Sequence, residues 1–474
     1  MLTYQDLLQQ NTDAQRMDFV RKCISEHQKS QEYQTAVIAD DYYRRRNTTI
    51  VNYQKLLYTM TGQAIPDTFS PNYKLCSGFF KRFVVQKVQY LLGNGVSWEE
   101  DTTADKLGTK KKPFDTQLQK LAKYAKRGGK AYGFWNLDHM DVFKFTEFKE
   151  LPDENTSAIR AGVRFWQIDS NKPLRATLYE EDGYTEYIWN KLSEDGTTRE
   201  EGQILEPKKS YILNTQETTA DGLEIVSGEN YPTFPIVPLW ANEFADSEIV
   251  GLRENIDCFD LIKSGFANTV DEASMLYWTI SAGGMDDVDL VKFRERMKIV
   301  KAAVLDDGAK AEAHTIDLPY QSREALLTRL RNDMFDDSMT FDAAQVIGGA
   351  STATQIMASY ESPDDDADDF EYFVVEFVSH ILDLAGIEDN PSFVRSKIVN
   401  TQEEISTLLS AGEYLPSDYI TEKIVTILGD IDKVDEILED MDAENLERLT
   451  EGGEGEWTTD TQNPTEGLEG LSAE

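Results

Sequence analysis

The stretch Asn72 to Trp98, NYKLCSGFFKRFVVQKVQYLLGNGVSW, decides how the rest of the chain is read. Leu75, Phe79, Phe83, Val84, Val88, Leu91 and Leu92 recur at helical spacing, while Lys74, Lys81, Arg82, Gln86, Lys87 and Gln89 fill the opposite side. Gly93 and Asn94 tolerate the left-handed conformation that closes a helix, and Val96 and Trp98 resume with strand alternation. The residues alone predict a helix, a cap and a strand.

Outward from this stretch, residues 1 to about 62 read mainly as helices, followed by a loop, GQAIPDTFSPN. Arg44, Arg45 and Arg46 are expected to pair with acidic neighbours in so acidic a chain. Phe114, Leu118, Leu121, Ala122 and Ala125 mark a second amphipathic helix ended by Gly128 and Gly129, and the basic KLGTKKKP between the two helices is expected to be an exposed loop. Strands are predicted at 131–135, 142–148, 162–168, 175–178, 185–190 and 210–213, with the aromatic residues packing a twisted sheet and not stacking on bases. Pro235 and Pro238 confine 234–240 to an edge strand or extended entry segment.

Ser247 then precedes a helix over 248–273 with Ile249, Leu252, Ile256, Phe259, Ile262, Phe266 and Val270 on one side, spanning about 39 Å at 1.5 Å per residue. A second helix carries Ala325, Leu326, Leu330, Met334 and Phe335, and the two are expected to run antiparallel. Between them lie a strand at LYWTI, a turn at Gly283 and Gly284, a basic helix from Leu290 to Met297 and two further strands, the last around His314. The chain continues through VIGGASTATQ, then a helix that Pro363 is expected to kink or break, then short helices over 405–438 with a turn at Gly412 to Pro416. Beyond Met441 ten acidic residues face one basic, Arg448, and disorder is expected from Glu451 onward.

The 474 residues leave room for roughly three domains. Three widely spaced cysteines, Cys23, Cys76 and Cys258, suggest neither a metal knuckle nor a redox pair and fit a reducing compartment. No signal peptide or membrane span is expected. With 86 acidic against 47 basic residues the formal charge is −39, which argues against holding nucleic acid by broad phosphate neutralisation. An acidic, solubilising surface explains the charge alone more simply than a DNA-repelling wall does.

Catalytic patterns are missing. Gly128-Gly129-Lys130-Ala131 is not a phosphate loop, and His27, His139, His314 and His380 are scattered as packing or surface residues. The run Asp364, Asp365, Asp366, Asp368, Asp369 lacks the central glycine and distant glutamate of a calcium loop, and suits an acidic helix N-terminus better than a two-metal site. Neither an enzymatic activity nor a cofactor or metal is expected.

The letters Tyr90 to Val96, the stretch after Leu118, the segment FPIVPLWANEFADSE with its following long helix, and the glycine turn from Ile347 resemble, in order, the portal proteins of tailed bacteriophages, of the type in long-tailed phages of Gram-positive hosts. The resemblance runs from about Tyr42 to Gly386 and implies an α+β portal fold assembled as a ring. It divides the chain into a mixed α/β wing (1–246), stem helix 1 (247–275), a small α/β clip (276–320), stem helix 2 (321–340), a tunnel loop (341–353), a long wing or channel helix (354–394), a helical crown (395–450) and an acidic tail (451–474).

The implied role is that of a channel at one capsid vertex, made in the host cytoplasm, through which genomic DNA is packaged and ejected. The implied partners are further copies of the chain in a dodecamer, double-stranded DNA that passes without tight binding, a terminase packaging motor, a head-to-tail adaptor, and capsid and scaffolding proteins, with no membrane. Val346, Ile347, Gly348, Gly349 and Ala350 would face DNA. Asp257, Asp260, Asp271 and Glu272 are the candidate channel-wall acids, and Lys292, Arg294, Arg296 and Lys298 the candidate partner-binding residues of the clip. The competing readings are another virion structural protein, an adaptor or capsid subunit, and a nucleic-acid-processing enzyme.

Overall fold

A computed structural model describes residues 2–58, 62–68, 70–100, 102–194, 197–218, 224–273, 277–281, 310–314, 320–344, 357–396, 401–412 and 414–428, with residues 434, 437, 438, 441 and 443. The chain divides into two compact units, 1–396 and 397–474.

In the first unit, short helices α1 (Tyr4–Leu8), α2 (Asp13–Lys29) and α3 (Gln31–Tyr43) start at Thr3, Thr12 and Ser30, whose side chains accept from the first-turn backbone. After α4 (Thr48–Val51) comes an unanticipated hairpin, β1 (Leu56–Tyr58) against β2 (Ala64–Pro66), at the end of the stretch read as helical and the start of the loop. Arg44, Arg45 and Arg46 are exposed, and Arg45, at φ 59°, lays its guanidinium against Gly78.

The expected helix of the opening stretch is α5 (Phe79–Leu92), later in onset than its apolar spacing suggested, because Leu75 belongs to an extended segment. Its stop also differs. Gly93 stays right-handed and the positive φ falls on Gly95, at 80°. The expected strand beyond it is a single bridge, Ser97 to Ser392, with N–H···O distances of 2.9 Å both ways. The KLGTKKKP loop is shorter and less free than expected, since α6 (Thr103–Leu107) takes its start and Lys112 Nζ reaches Asp141 and His139 Nε2.

Helix α7 (Phe114–Gly128) leads through Gly129, at φ 82°, into β3 (Lys130–Asn136) and β4 (His139–Lys144). A side chain at Gly129 would run into the carbonyl of Ala245, so this corner requires glycine twice over. An antiparallel meander follows, β5 (Phe148–Pro152), β6 (Ile159–Trp166), β7 (Leu174–Glu180), β8 (Gly183–Glu194) and β9 (Thr197–Lys209), in that spatial order. Strand β9 was not anticipated because TTREEGQILEPKK lacks alternation and holds Pro207, which an edge strand tolerates. A hairpin of β10 (Ile212–Thr218) and β11 (Glu224–Glu229) precedes β12 (Ile236–Trp240), which lies, as its prolines required, on the edge of the sheet β12-β3-β4.

Two helices of the first unit were read as the stem. They are α8 (Arg253–Ala273) and, after the paired strands β13 (Tyr277–Ser281) and β14 (Lys310–His314), α9 (Tyr320–Asp337). The expected turn at 283–284, the helix 290–297 and the strand 298–305 lie outside the described residues. The chain is helical at 357–358, turns at 359–360 and restarts as helix α10 (Glu361–Ala385), so the interruption falls just ahead of Pro363, which as third residue of the new helix needs no intrahelical N–H bond. The acidic run after it, read as part of the interruption, is instead helical, with Glu361 and Asp364 in the first turn where the dipole favours them.

Burial marks three packed interfaces between four layers. Helices α5, α7 and α10 cover one side of the β12-β3-β4 sheet through Val88, Leu121, Phe370 and Phe377. The other side of that sheet meets the five-stranded meander through an aromatic layer that includes Tyr132, Phe143, Phe148 and Tyr179, the packing role expected of those rings. Helix α2 covers the meander's far side with Phe19, Val20 and Ile24. In the second unit, α11 (Thr401–Ala411) and α12 (Ser417–Leu428) flank the expected turn.

Candidate functional site

Helices α8 and α9, the pair expected to form the stem, run antiparallel. Asn255 Nδ2, near the start of α8, donates to Asp337 at the end of α9 at 3.0 Å, and Arg323 Nη1, near the start of α9, donates to Thr269 Oγ1 at 3.2 Å. At their base they seat on α5 through edge-to-face rings, Phe79 with Phe259 at 5.1 Å and Phe83 with Phe335 at 5.2 Å. Burial fades along the pair. Ile249, Leu252, Ile256, Met334 and Phe335 are buried, whereas Val270, Tyr320 and Leu326 are 48%, 54% and 45% exposed.

The opposite side of α8 is held by the extended segment 73–77. Alternate backbone N–H groups, those of Tyr73, Leu75 and Ser77, donate to Asn268 Oδ1 at 2.7 Å, Ser264 Oγ at 3.0 Å and Asp260 Oδ1 at 2.9 Å. These acceptors are four residues apart and therefore lie in one row on the helix. Asp257, one turn before, accepts from Thr49 Oγ1 at 2.7 Å and from the Tyr42 hydroxyl. This corrects the reading of two candidate wall acids. Asp260 has no exposed surface and Asp257 is half-buried, so both hold the stem to its own subunit. Burial raises the Asp260 carboxyl above its usual range, and the hydrogen bonds from Ser77 and Asn47 only partly offset it. Asp271 lies near the tip, with the Tyr73 hydroxyl 3.3 Å away. Glu272 continues the helix.

Just before α8 sits a cluster of four charges. Lys87 Nζ donates to Glu248 Oε2 at 2.8 Å and to Asp366 Oδ1 at 2.6 Å, and Lys126 Nζ donates to Glu248 Oε1 at 2.9 Å. Lys126 also lies 4.2 Å above the Phe370 ring. Burial alone would raise the Glu248 carboxyl, but Lys126 and Lys87 override it and hold it at about 2. The cluster ties α5, α7, the turn before α8 and α10 to one point. Ser247 shares that turn. Its hydroxyl donates to the Arg127 carbonyl at 2.5 Å, and α8 begins at Arg253, five residues later than the expected start at 248.

The candidates Val346 to Ala350 and Lys292, Arg294, Arg296 and Lys298 lie outside the described residues. Sequence reasoning missed the 73–77 strap and the four-charge cluster. Lys87 read as one member of a polar face, and nothing in periodicity singles out a partner such as Asp366, 279 positions away. A cavity of about 200 Å³ opens beside the strap, with Ile50, Tyr53, Tyr73, Leu261 and Asn268 among its lining and two lysines, Lys55 and Lys74, in its wall. Among the described residues no three His, Cys, Asp or Glu side chains are placed to hold a metal ion, and no helix is long and apolar enough to cross a membrane.

The described residues thus place an antiparallel helix pair, with paired strands between its two members, on a mixed α/β body. The family model described as "Phage portal protein, SPP1 Gp6-like" matches residues 22–448, and the chain belongs to that phage portal family. The portal protein of Bacillus phage SPP1 is 21% identical over 399 residues, spanning 78% of this chain and 75% of its own. Among solved structures, a chain from the virion of a native gene transfer agent particle shares 10% identity with a TM-score of 0.41, covering 74% of this chain and 89% of that one. A chain from the neck of such a particle, computed with C12 symmetry, shares 9% with a TM-score of 0.38, covering 73% and 89%.

Proposed function

We propose that the protein is the repeating subunit of a portal ring, a dodecamer at one capsid vertex whose central channel passes double-stranded DNA during packaging and ejection. The observation that carries this reading is the stem. Its apolar side is buried at the root and bare at Val270, Tyr320 and Leu326, and a neighbouring copy in a closed ring would cover it.

The channel-facing acids are better sought on α10 than on the inner side of α8. Its exposed positions include Glu361, Asp365, Asp368, Asp369, Glu376 and Asp383, and the helix contains no Lys or Arg. From 361 to 383 this face runs about 33 Å, the length over which a duplex carries about 19 phosphate charges. Repulsion of that kind decays within about 8 Å and acts only in a narrow passage. Asp271 and Glu272 stay as wall candidates near the stem tip, and Val346 to Ala350 as the tunnel loop.

The clip, with Lys292, Arg294, Arg296 and Lys298, would meet the terminase motor and later the head-to-tail adaptor, while the wing would meet capsid and scaffolding proteins. The chain itself would have no enzymatic activity, so the energy for translocation would come from the motor. Negative-stain images of the purified protein test the reading. Rings of about twelve units with a central hole are expected, whereas a different closed assembly, without a channel, would overturn it.

A further inference from the structure

Between Tyr42 and Trp98 a chain of formal charge −39 holds eight basic residues and a single acid, Asp67. Arg44, Arg45, Arg46 and Lys81 are exposed, and among the described residues none of the four pairs with an acid, unlike the pairing expected of the arginine run. Val51, Tyr53, Leu56, Leu57, Ile65 and Tyr73 interleave with these charges and are 41% to 49% exposed. Leu56 and Leu57 point to opposite faces of the β1–β2 ribbon, so neither face is packed, and a two-stranded ribbon is marginal in water by itself. A basic surface with this much bare apolar area fits an acidic protein surface better than a nucleic-acid backbone.

The strip runs along α8 on the side away from α9. Ser264 accepts from the strap, whereas Asn255 and Thr269, about 140–180° round the helix from it, bond α9. The far side of α9 is a shallow concavity with Ala325, Thr328 and Asn332 among its lining and Glu324, Arg329 and Asp333 in its wall, the last two 3.8 Å apart. Asp336 is exposed beyond it. The two surfaces match level by level. Arg44 to Arg46 adjoin Asn47, which bonds Asp260, while Asp333 and Asp336 precede Asp337, the partner of Asn255. Nearer the other end of the pair, Tyr73 sits at Asn268 with Lys55 and Lys74 beside it, while Glu324 follows Arg323, the partner of Thr269.

We propose that the strip formed by Arg44 to Arg46, Tyr53, Lys55, the β1–β2 ribbon and Tyr73 is the surface on which a second copy of the chain docks, through the far side of its α9. The inference rests on the reading of the protein as a ring subunit and deepens it. A closed ring needs two different faces on every copy, and strip and α9 flank α8 on opposite sides. For a helix pair standing along the ring axis, rotation alone brings residues of one level together. That sets Arg44 and Arg46 against Asp333 and Asp336 of the next copy, and Lys55, Lys74 and Tyr73 against its Glu324 and bare Leu326.

The test is a charge swap in the full chain, read by native mass spectrometry. Arg44→Glu with Arg46→Glu should lower assembly by about tenfold or more, as should Asp333→Lys with Asp336→Lys, and all four changes in one chain should restore it. A second readout mixes a chain bearing Leu57→Cys with one bearing Ala325→Cys before assembly, both with Cys76→Ser and Cys258→Ser, and adds a bismaleimide. Mixed dimers are expected, and no product from either chain alone. Rings that persist in both reversed variants overturn the contact and leave the ring reading standing. Linkage of Leu57→Cys chains to one another, or no mixed product, overturns it as well. Mixed product and rescue by the swap in an assembly without a central hole would reject the ring and leave the contact standing. No mixed product, with a short DNA duplex held by the parent at physiological salt and released by Arg44→Glu with Arg46→Glu, would assign the strip to nucleic acid and overturn the contact.

Discussion

The backbone N–H of Ser77 donates to both carboxylate oxygens of Asp260, at 2.9 and 3.1 Å, and Asp260 has no exposed surface. Asn47 Nδ2 donates to the same carboxylate, while its own Oδ1 has no hydrogen-bond partner. A side chain that reads in sequence as one more acid on a long helix is therefore the joint between helix and strap.

Asp260→Ala should lower unfolding stability by about 2–3 kcal/mol in urea melts, since it strands the Ser77 and Asn47 donors. Asp260→Asn should stay within about 1 kcal/mol of the parent, because Asn47 can turn its amide and offer the unused oxygen. The folded carboxyl sits above its unfolded value of 3.8, so its contribution is greatest below pH 3.8 and declines as pH rises through the folded value. Asp260→Asn should remove that decline. A larger loss for Asn than for Ala would contradict this account.

Lys87→Met should cost about 3–5 kcal/mol, because Glu248 and Asp366 would share a largely buried site with Lys126 alone. Glu248 is depressed to about 2, so its stabilisation is complete above pH 4.5 and is lost as pH falls through about 2. The folded value of Lys87 is raised, so its share is complete below pH 10.5 and is lost above that folded value. Melting temperature against pH should show a plateau between these limits in the parent, with the acid side eroding earlier in Lys87→Met.

Val270→Asp with Leu326→Asp should leave the subunit's unfolding free energy nearly unchanged, within about 0.5 kcal/mol for each change, because both side chains are about half exposed. Ring formation should be lost in native mass spectra. Intact rings would move the proposed subunit contact away from the stem.

Gly133→Ala should destabilise by about 1–3 kcal/mol, since a Cβ there would stand 2.5 Å from Phe377 Cζ and 2.9 Å from Met140 Sδ. The same change with Phe377→Leu should recover part of the loss in a double-mutant cycle.

The elements set by period were legible, and those set by distant polar pairing were not. Phe83, Val84, Val88, Leu91 and Leu92 are buried as their spacing required, and Met334 and Phe335 mark the packed end of the second stem helix. Leu75 misled because one apolar residue in an extended strap fits a helical row by chance, and Gly78 was the local sign of the later start. Pro363 marked an interruption, which falls at the turn 359–360, while the acidic run beyond it misled because carboxylates in the first turns of a helix are favoured and do not break it. The strap and the four-charge cluster leave no periodic trace, since their members, such as Ser77 with Asp260 and Lys87 with Glu248, lie 183 and 161 positions apart.

The strap has the character of a vernier. Two extended residues advance about 6.6 Å and four helical residues about 6.0 Å, so the rungs at Tyr73, Leu75 and Ser77 drift by about 1.2 Å across the set, within hydrogen-bond tolerance. A longer ladder would fall out of step. A slide of α8 by less than one turn breaks all three rungs together, and a slide of four residues that sets Ile256 opposite Ser77 leaves that N–H without a side-chain acceptor. The three rungs thus pin the axial position of α8 to one register and oppose small displacements along the strap.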